Sequence, residues 1–318
     1  MSNNDLIEPQ REPNLDANDL GFWPVDWCHM VFLVGSVVLF MVIWDPVSDP
    51  VGWSLLDTGL IVLLLWIVKK TPSWTLAKAA MVRMLYCMLT IPLVFTQLGS
   101  LVPYVNPSNW EEKLFRFDEA LFFGKNPLHL VDFFSNPVLT EVLQWIYNYY
   151  YFIAIIVGTV VVKKKQPKIL ARLTFCFVLC IYLSYFGYYI VPATGPNIDK
   201  YQLYEFAEPL KGLFLATEMR ATMFSLEKIK QDCFPSGHTA VALLAFLLAK
   251  RYAKRLVPYL APLVVALIFS TVYLRYHYVA DVIAGVILAY ISAIYGVKIH
   301  EKFERSTWGN HGNESGTG

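Results

Sequence analysis

The chain has 318 residues, of which 56% are hydrophobic and 16% charged, with a formal net charge of +1 and a mean hydropathy of +0.45. So much apolar material with so little charge excludes an ordinary soluble domain, and a net charge near zero excludes a polyanionic partner such as nucleic acid. The five cysteines (Cys28, Cys87, Cys176, Cys180 and Cys233) show no zinc-ligand spacing, and four of them read as small buried hydrophobes in or beside apolar runs.

Residues 1–27 form a polar, acidic, proline-containing tail without the basic start and short apolar core of a signal peptide. It ends in an interfacial segment at Phe22, Trp23 and Trp27. Eight apolar runs follow, near 28–44, 51–68, 81–102, 141–162, 172–191, 236–250, 256–275 and 279–297. Most approach the roughly 20 residues that a helix needs to cross a bilayer. The predicted fold is therefore an all-α integral membrane protein with about eight transmembrane helices. Pro92, Pro258 and Pro262 fall inside the runs, where neighbouring helices can satisfy the freed backbone groups. A polar C-terminal tail is expected over 300–318.

Lysine and arginine set the orientation. Clusters at Lys69–Arg83, Lys163–Arg172, Lys250–Arg255 and Lys298–Arg305 follow the second, fourth, sixth and eighth runs. These alternate connections are predicted to be cytoplasmic, as are both termini. The long connections 103–140 and 192–235 then lie on the other face.

The 103–140 connection carries apolar residues at helical spacing over 115–124, which predicts an amphipathic interfacial helix ended by Gly124 and Pro127. Asp118 on it reads as a solvated charge, with a head-group contact as the alternative. The run Tyr147, Tyr149, Tyr150 and Tyr151 reads as an interfacial aromatic belt, with head-group stacking as the alternative. The 192–235 connection opens with Pro192-Ala193-Thr194-Gly195-Pro196-Asn197, a rigid turn. It is either an anion-binding nest of backbone N–H groups or a plain helix terminator. Lys200, Lys211 and Arg220 are the cations available to this loop.

Two stretches carry chemistry. Cys233-Phe234-Pro235-Ser236-Gly237-His238-Thr239 and Tyr273-Leu274-Arg275-Tyr276-His277-Tyr278-Val279-Ala280-Asp281 stand at the edges of apolar runs, on the same face by the charge rule. Asp281 follows His277 by four residues; on a helix the two side chains share a face, so the carboxylate orients the imidazole. A second histidine, a hydroxyl and a glycine that admits an anion to the backbone complete a set suited to phosphoryl transfer through a phosphohistidine.

These motifs resemble the membrane-bound type 2 phosphatidic acid phosphatase (PAP2) superfamily. Pro235-Ser236-Gly237-His238 is similar to its second motif, and His277 with Asp281 to the end of its third. The resemblance covers about residues 110 to 298 and implies a six-helix catalytic core over 103–299, interfacial loop included, preceded by N-terminal transmembrane helices over 28–102. It implies that His277 is the nucleophile, His238 the acid that protonates the leaving oxygen and Asp281 the partner of His277. Ser236, Gly237 and Arg275 would be the substrate-binding residues. The family's first motif, Lys, six residues, Arg-Pro, is missing: Lys165 and Arg172 have its spacing but no following proline, and the charge rule puts them on the opposite face. In the third motif Ser270 and Thr271 stand where Ser-Arg is usual. These departures resemble the inositol-phosphorylceramide synthase and sphingomyelin synthase branch, whose members move a phospho-head group between lipids.

The expected partners are a lipid phosphoester, a lipid alcohol as acceptor in the transfer reading, and the bilayer, with the site on the non-cytoplasmic face. No cofactor and no metal are expected, since the sequence has no carboxylate cluster of the kind that holds magnesium or calcium. Three readings stay open: head-group transfer, hydrolysis of phosphatidic acid or a lipid pyrophosphate, and a non-catalytic lipid transporter or binding protein.

Overall fold

The computed structural model describes residues 21–198, 203, 206, 210–226 and 229–308. The tail before residue 21, Lys200 and residues 309–318 lie outside the described residues. Among the described residues, the regular structure is helix, with no strand.

Three long helices come first, α1 (Pro24–Val42), α2 (Pro50–Lys70) and α3 (Leu76–Val105). Their starts are written in the sequence. Pro24 and Pro50 stand in a first turn, where a missing N–H costs nothing. The Asp49 side chain accepts the Gly52 N–H at 2.9 Å, and Thr75 accepts the Lys78 N–H at 3.3 Å. Arg83, read above as one of a basic cluster, is buried. It pairs with Asp26 at 2.9 Å, donates to Thr71 Oγ1 at 2.9 Å and lies 4.0 Å from the Trp23 ring centre.

Two short helices follow, α4 (Glu111–Leu121), packed on the later helix Val279–Ile291, and α5 (Pro127–Asp132), packed on the later helix Val257–Tyr273. As expected for an amphipathic interfacial segment, α4 has Leu114 and Phe115 inside and Phe117 and Leu121 outside. Left-handed backbone at Phe123 and Gly124 ends it, before Pro127 opens α5. The core follows with α6 (Pro137–Asn148), α7 (Tyr150–Lys163), α8 (Pro167–Ile190), α9 (Ala216–Leu226), α10 (Gly237–Tyr252), α11 (Val257–Tyr273), α12 (Val279–Ile291) and α13 (Val297–Thr307). Glu141 of α6 accepts the backbone N–H groups of Phe214, Leu215 and Ala216 at 3.0–3.1 Å, fixing the start of α9.

Six helical stretches among the described residues are long and apolar enough to cross a membrane: α1, α2, α3, α8, α11, and α12 running into α13. A seventh candidate is the pair α6 and α7, bent by 48°. The one expected span left over, the sixth run, is α10, which has only 16 residues. It packs against α7, α8, α11 and α12. Its buried face of Ala240, Ala242, Ala245 and Ala249 lets those neighbours come close. A helix walled in on four sides need not match the thickness of the lipid.

The polar tail expected from residue 300 is instead helical as far as Thr307. A π-helical stretch, Ser292–Gly296, joins α12 to α13. His300 and Trp308 are buried there, and Glu301 and Glu304 bind Arg172 at 2.9 and 2.7 Å. Arg251 pairs with Glu301 at 2.6 Å, and Lys164 Nζ donates to the Tyr252 carbonyl at 3.2 Å. These polar residues are partners of the basic clusters, and sequence spacing alone hides that. The same contacts gather the basic ends of several helices at one end of the bundle. Because α10 carries His238 in its first turn and Arg251 in its last, the histidines lie at the opposite end. Lys165 and Arg172 are thereby remote from them.

Candidate active site

The second motif builds the start of α10. Ser236 is its N-cap: the fully buried hydroxyl accepts the Thr239 N–H at 3.2 Å, and the Ser236 N–H donates to the Asp281 carbonyl at 3.1 Å. Gly237 and His238 form the first turn and line a cavity. Gly285 of α12 makes this junction possible, since a Cβ there would lie 2.6 Å from the Ser236 carbonyl oxygen.

His277 stands in the five-residue link between α11 and α12, one residue short of the N-cap, Tyr278. It does not share a helical face with Asp281, as the spacing suggested. Asp281 instead turns back on the helix start. Its Oδ2 accepts the Tyr278 N–H at 2.9 Å and lies 3.3 Å from His277 Nδ1. With Nδ1 held, Nε2 is the ring nitrogen directed away from the carboxylate. The rings of His238 and His277 are 5.9 Å apart between centres, and both residues line the cavity.

Of three surrounding groups, Cys233 and Asp118 have other roles than the sequence suggested and Asp232 was not singled out there. Cys233 donates its thiol to Asp281 Oδ2 at 2.7 Å and lies 3.5 Å from His277 Nδ1. Burial, with the Asp281 carboxylate beside it, pushes this thiol well up from its ordinary range. Asp232 also lines the cavity, and burial pushes it up to about 6 against the opposing pull of His277. Asp118 is fully buried rather than solvated, and both its oxygens face backbone rather than an open head-group site. Its two oxygens accept the Val279 and Ala280 N–H groups at 2.8 and 2.9 Å, so α4 caps α12. Burial pushes Asp118 up to about 6, while those two N–H groups pull it down.

Two of the four tyrosines leave the expected belt. The rings of Tyr147 and Tyr150 each lie 4.3 Å from that of His238, and Tyr147 Oη is 3.3 Å from His238 Nδ1. Tyr147 also packs against Tyr276 at 4.5 Å. Among the described residues, His238 Nε2 has no hydrogen-bond partner.

The Pro192–Pro196 turn is neither a nest nor a plain terminator. Glu111 Oε1 takes both the N–H and the hydroxyl of Thr194, at 3.0 and 2.9 Å. Asn197 donates its N–H to the Arg275 carbonyl at 2.8 Å, and the Cys233 N–H donates to the Ala193 carbonyl at 3.2 Å. The turn locks α4, the Cys233 loop and the His277 link together. Gly195 is required there, because a Cβ would collide with the Tyr276 carbonyl.

Arg275 has left-handed backbone in the link, and its guanidinium lies 3.7 Å from the Phe206 ring centre. It is not among the described residues that line the cavity. Of the loop cations, Arg220 donates to the Leu210 carbonyl at 3.1 Å and lies over Tyr276. The described cations that do line the cavity are Lys230, whose Nζ donates to the Phe224 carbonyl at 2.7 Å, and Lys163, at the last turn of α7.

The cavity has a volume of about 680 Å³. From Gly237, His238 and His277 it runs between α3, α7 and α8 past Tyr188, Phe95, Ile91 and Ile155 to Val162 and Lys163. One end is polar and chemically equipped, and the rest is apolar.

A family model described as the PAP2 superfamily matches residues 112–295. No curated protein and no solved structure gives a significant match.

Proposed function

The chain belongs to the PAP2 superfamily, and from that premise we propose that it transfers a phospho-head group between lipids through a phosphohistidine on His277. Membership supports the coarser statement, a phosphatase-type lipid phosphoesterase, and the long apolar helices make it an integral membrane protein. The observation that carries the finer reading is the cavity itself: a long apolar channel with two histidines at one end fits a lipid with its phosphoester at His277.

In the first step His277 Nε2 attacks phosphorus, and the bond from phosphorus to the leaving oxygen breaks. His238 gives that oxygen its proton. Asp281 Oδ2 holds His277 Nδ1–H and stabilises the positive imidazole that results. The Gly237 N–H at the start of α10, together with Lys230, steadies the charge on the phosphoryl oxygens. Arg275 serves through its carbonyl, which fixes Asn197 at the cavity wall. In the second step a lipid alcohol enters, His238 takes its proton, and its oxygen displaces His277. Water in that place would give hydrolysis.

The small number of cations favours a diester donor, a monoanion, over a nearly dianionic monoester. The site faces away from the cytoplasm in this reading, by the basic ends opposite it. Purified protein offered a labelled phospholipid diester or phosphatidic acid, with a lipid alcohol present, decides the matter. A new phospholipid from the diester is the expected product. Free phosphate as the only product, from the monoester alone, would leave a simple phosphatase.

A further inference from the structure

Cys233, His277 and Asp281 bring a thiol, an imidazole and a carboxylate together with their donor atoms within 4.8 Å of one another, all three residues buried. We propose that this triad is an inhibitory site for a thiophilic divalent cation, Zn²⁺ above all, that disarms His277 by binding its Nδ1.

The spacing favours zinc. Tetrahedral bonds of about 2.3 Å to sulfur and about 2.0 Å to nitrogen and oxygen place sulfur about 3.5 Å from nitrogen and nitrogen about 3.3 Å from oxygen. Cys233 Sγ is 3.5 Å from His277 Nδ1, and His277 Nδ1 is 3.3 Å from Asp281 Oδ2. The third edge, Cys233 Sγ to Asp281 Oδ2, is 2.7 Å because a proton bridges it. A metal replacing that proton needs this edge to open to about 3.5 Å. Cys233 and His277 both line the cavity, which gives the ion an entry and a place for a fourth ligand, water or a phosphoryl oxygen. A donor set of thiolate, imidazole and a single carboxylate suits Zn²⁺ or Co²⁺; Mg²⁺ and Ca²⁺ demand oxygen.

The exchange balances. The thiol releases one proton to water. The neutral His277 imidazole keeps its single proton but moves it from Nδ1 to Nε2, since Nδ1 now holds the metal. The lone pair that would attack phosphorus is then engaged by a proton. Inhibition therefore follows from a tautomer, with the substrate cavity left open. Loss of turnover rests on the reading of His277 as nucleophile; binding of the ion does not.

The test uses the full chain in detergent and Co²⁺ as a coloured stand-in. Wild type should bind one equivalent and show a thiolate-to-cobalt charge-transfer band. Cys233→Ser and Cys233→Ala should abolish the band and weaken Zn²⁺ binding by at least about a hundredfold, more than loss of an outer-sphere partner costs. Cys87→Ser should leave the band intact; Cys87 also lines the cavity and lies 3.1 Å from His29, so it is the competing thiol. On a lipid phosphoester, Zn²⁺ should inhibit wild type reversibly to chelator and the Cys233 variants far less. Absence of the band, or its persistence in both Cys233 variants, overturns the site. A band in a protein with no turnover on any lipid phosphoester would uphold the metal site and fail the enzymatic reading alone.

Discussion

Asp118 accepts the N–H of Ala280 at 2.9 Å across 162 residues of chain, and the same carboxylate takes the N–H of Val279. The amphipathic helix α4 thus sets the start of the helix that carries Asp281. Asp118→Ala should cost about 1–2 kcal/mol of stability, as the loss of a helix cap does. It should also lower kcat with little change in KM, because His277 loses its alignment while the channel persists. Asp118→Asn, which keeps one acceptor, should recover part of both. Thermal unfolding in detergent beside steady-state kinetics checks this; unchanged kcat in Asp118→Ala would remove Asp118 from the support of the site.

His277→Ala should abolish turnover in a folded protein, and His238→Ala should lower it by about 10²–10⁴, the usual worth of a proton donor. Asp281→Asn should keep a small residual rate, since the nucleophile remains but is poorly held. Tyr147→Phe removes the hydroxyl 3.3 Å from His238 Nδ1. One hydrogen bond realised in the transition state is worth on the order of tenfold in kcat, with KM unchanged. Most activity surviving in His277→Ala would rule out the phosphohistidine.

Asp232 makes stability depend on pH. Its carboxyl is raised from 3.8 to about 6 in the folded chain. Between those values the folded state holds a proton that the unfolded state has lost, so the Asp232 contribution falls as pH rises from 3.8 to about 6 and is level above that. Asp232→Asn should therefore unfold at a higher temperature relative to wild type at pH 7 than at pH 4. The same variant removes a negative charge from the cavity wall and should lower KM for an anionic lipid at pH 7. Melting curves and kinetics across pH test both; an equal offset at the two pH values would place the titration elsewhere.

Orientation is checked by an impermeant thiol reagent on intact cells. Lys211→Cys, exposed on the histidine side, should react, and Arg305→Cys, exposed at the far end of α13, should not. The reverse pattern would turn the protein over in the membrane.

Hydropathy and turn residues made most of the fold legible. The apolar runs became helices, and the amphipathic segment ends before Gly124 and Pro127 as its turn residues foretold. The motif spacing brought His238, His277 and Asp281 into one neighbourhood. What stayed hidden has a common cause: the partner is a backbone group or a side chain far along the chain. Asp118 looked solvated because its partners are two N–H groups at the start of α12. The Pro192–Pro196 turn looked open to an anion because Glu111, which occupies it, lies 83 residues earlier. Cys233 looked like a packing residue because Asp281 lies 48 residues on. The 300–318 stretch looked like a tail because polar residues betray nothing of the arginines they meet.

The channel between α3 and α7 reaches the outside of the bundle, since Met88 and Ile155 both line it and are 48% and 45% exposed. A substrate can slide in sideways with its tail never leaving hydrocarbon. Lifting a tail of about fifteen carbons into water would cost on the order of 12 kcal/mol at about 0.8 kcal/mol per methylene. A lateral doorway removes that toll from the encounter, so collision frequency is set by diffusion in two dimensions. Turnover should then follow the mole fraction of lipid in the surface and be indifferent to its bulk concentration.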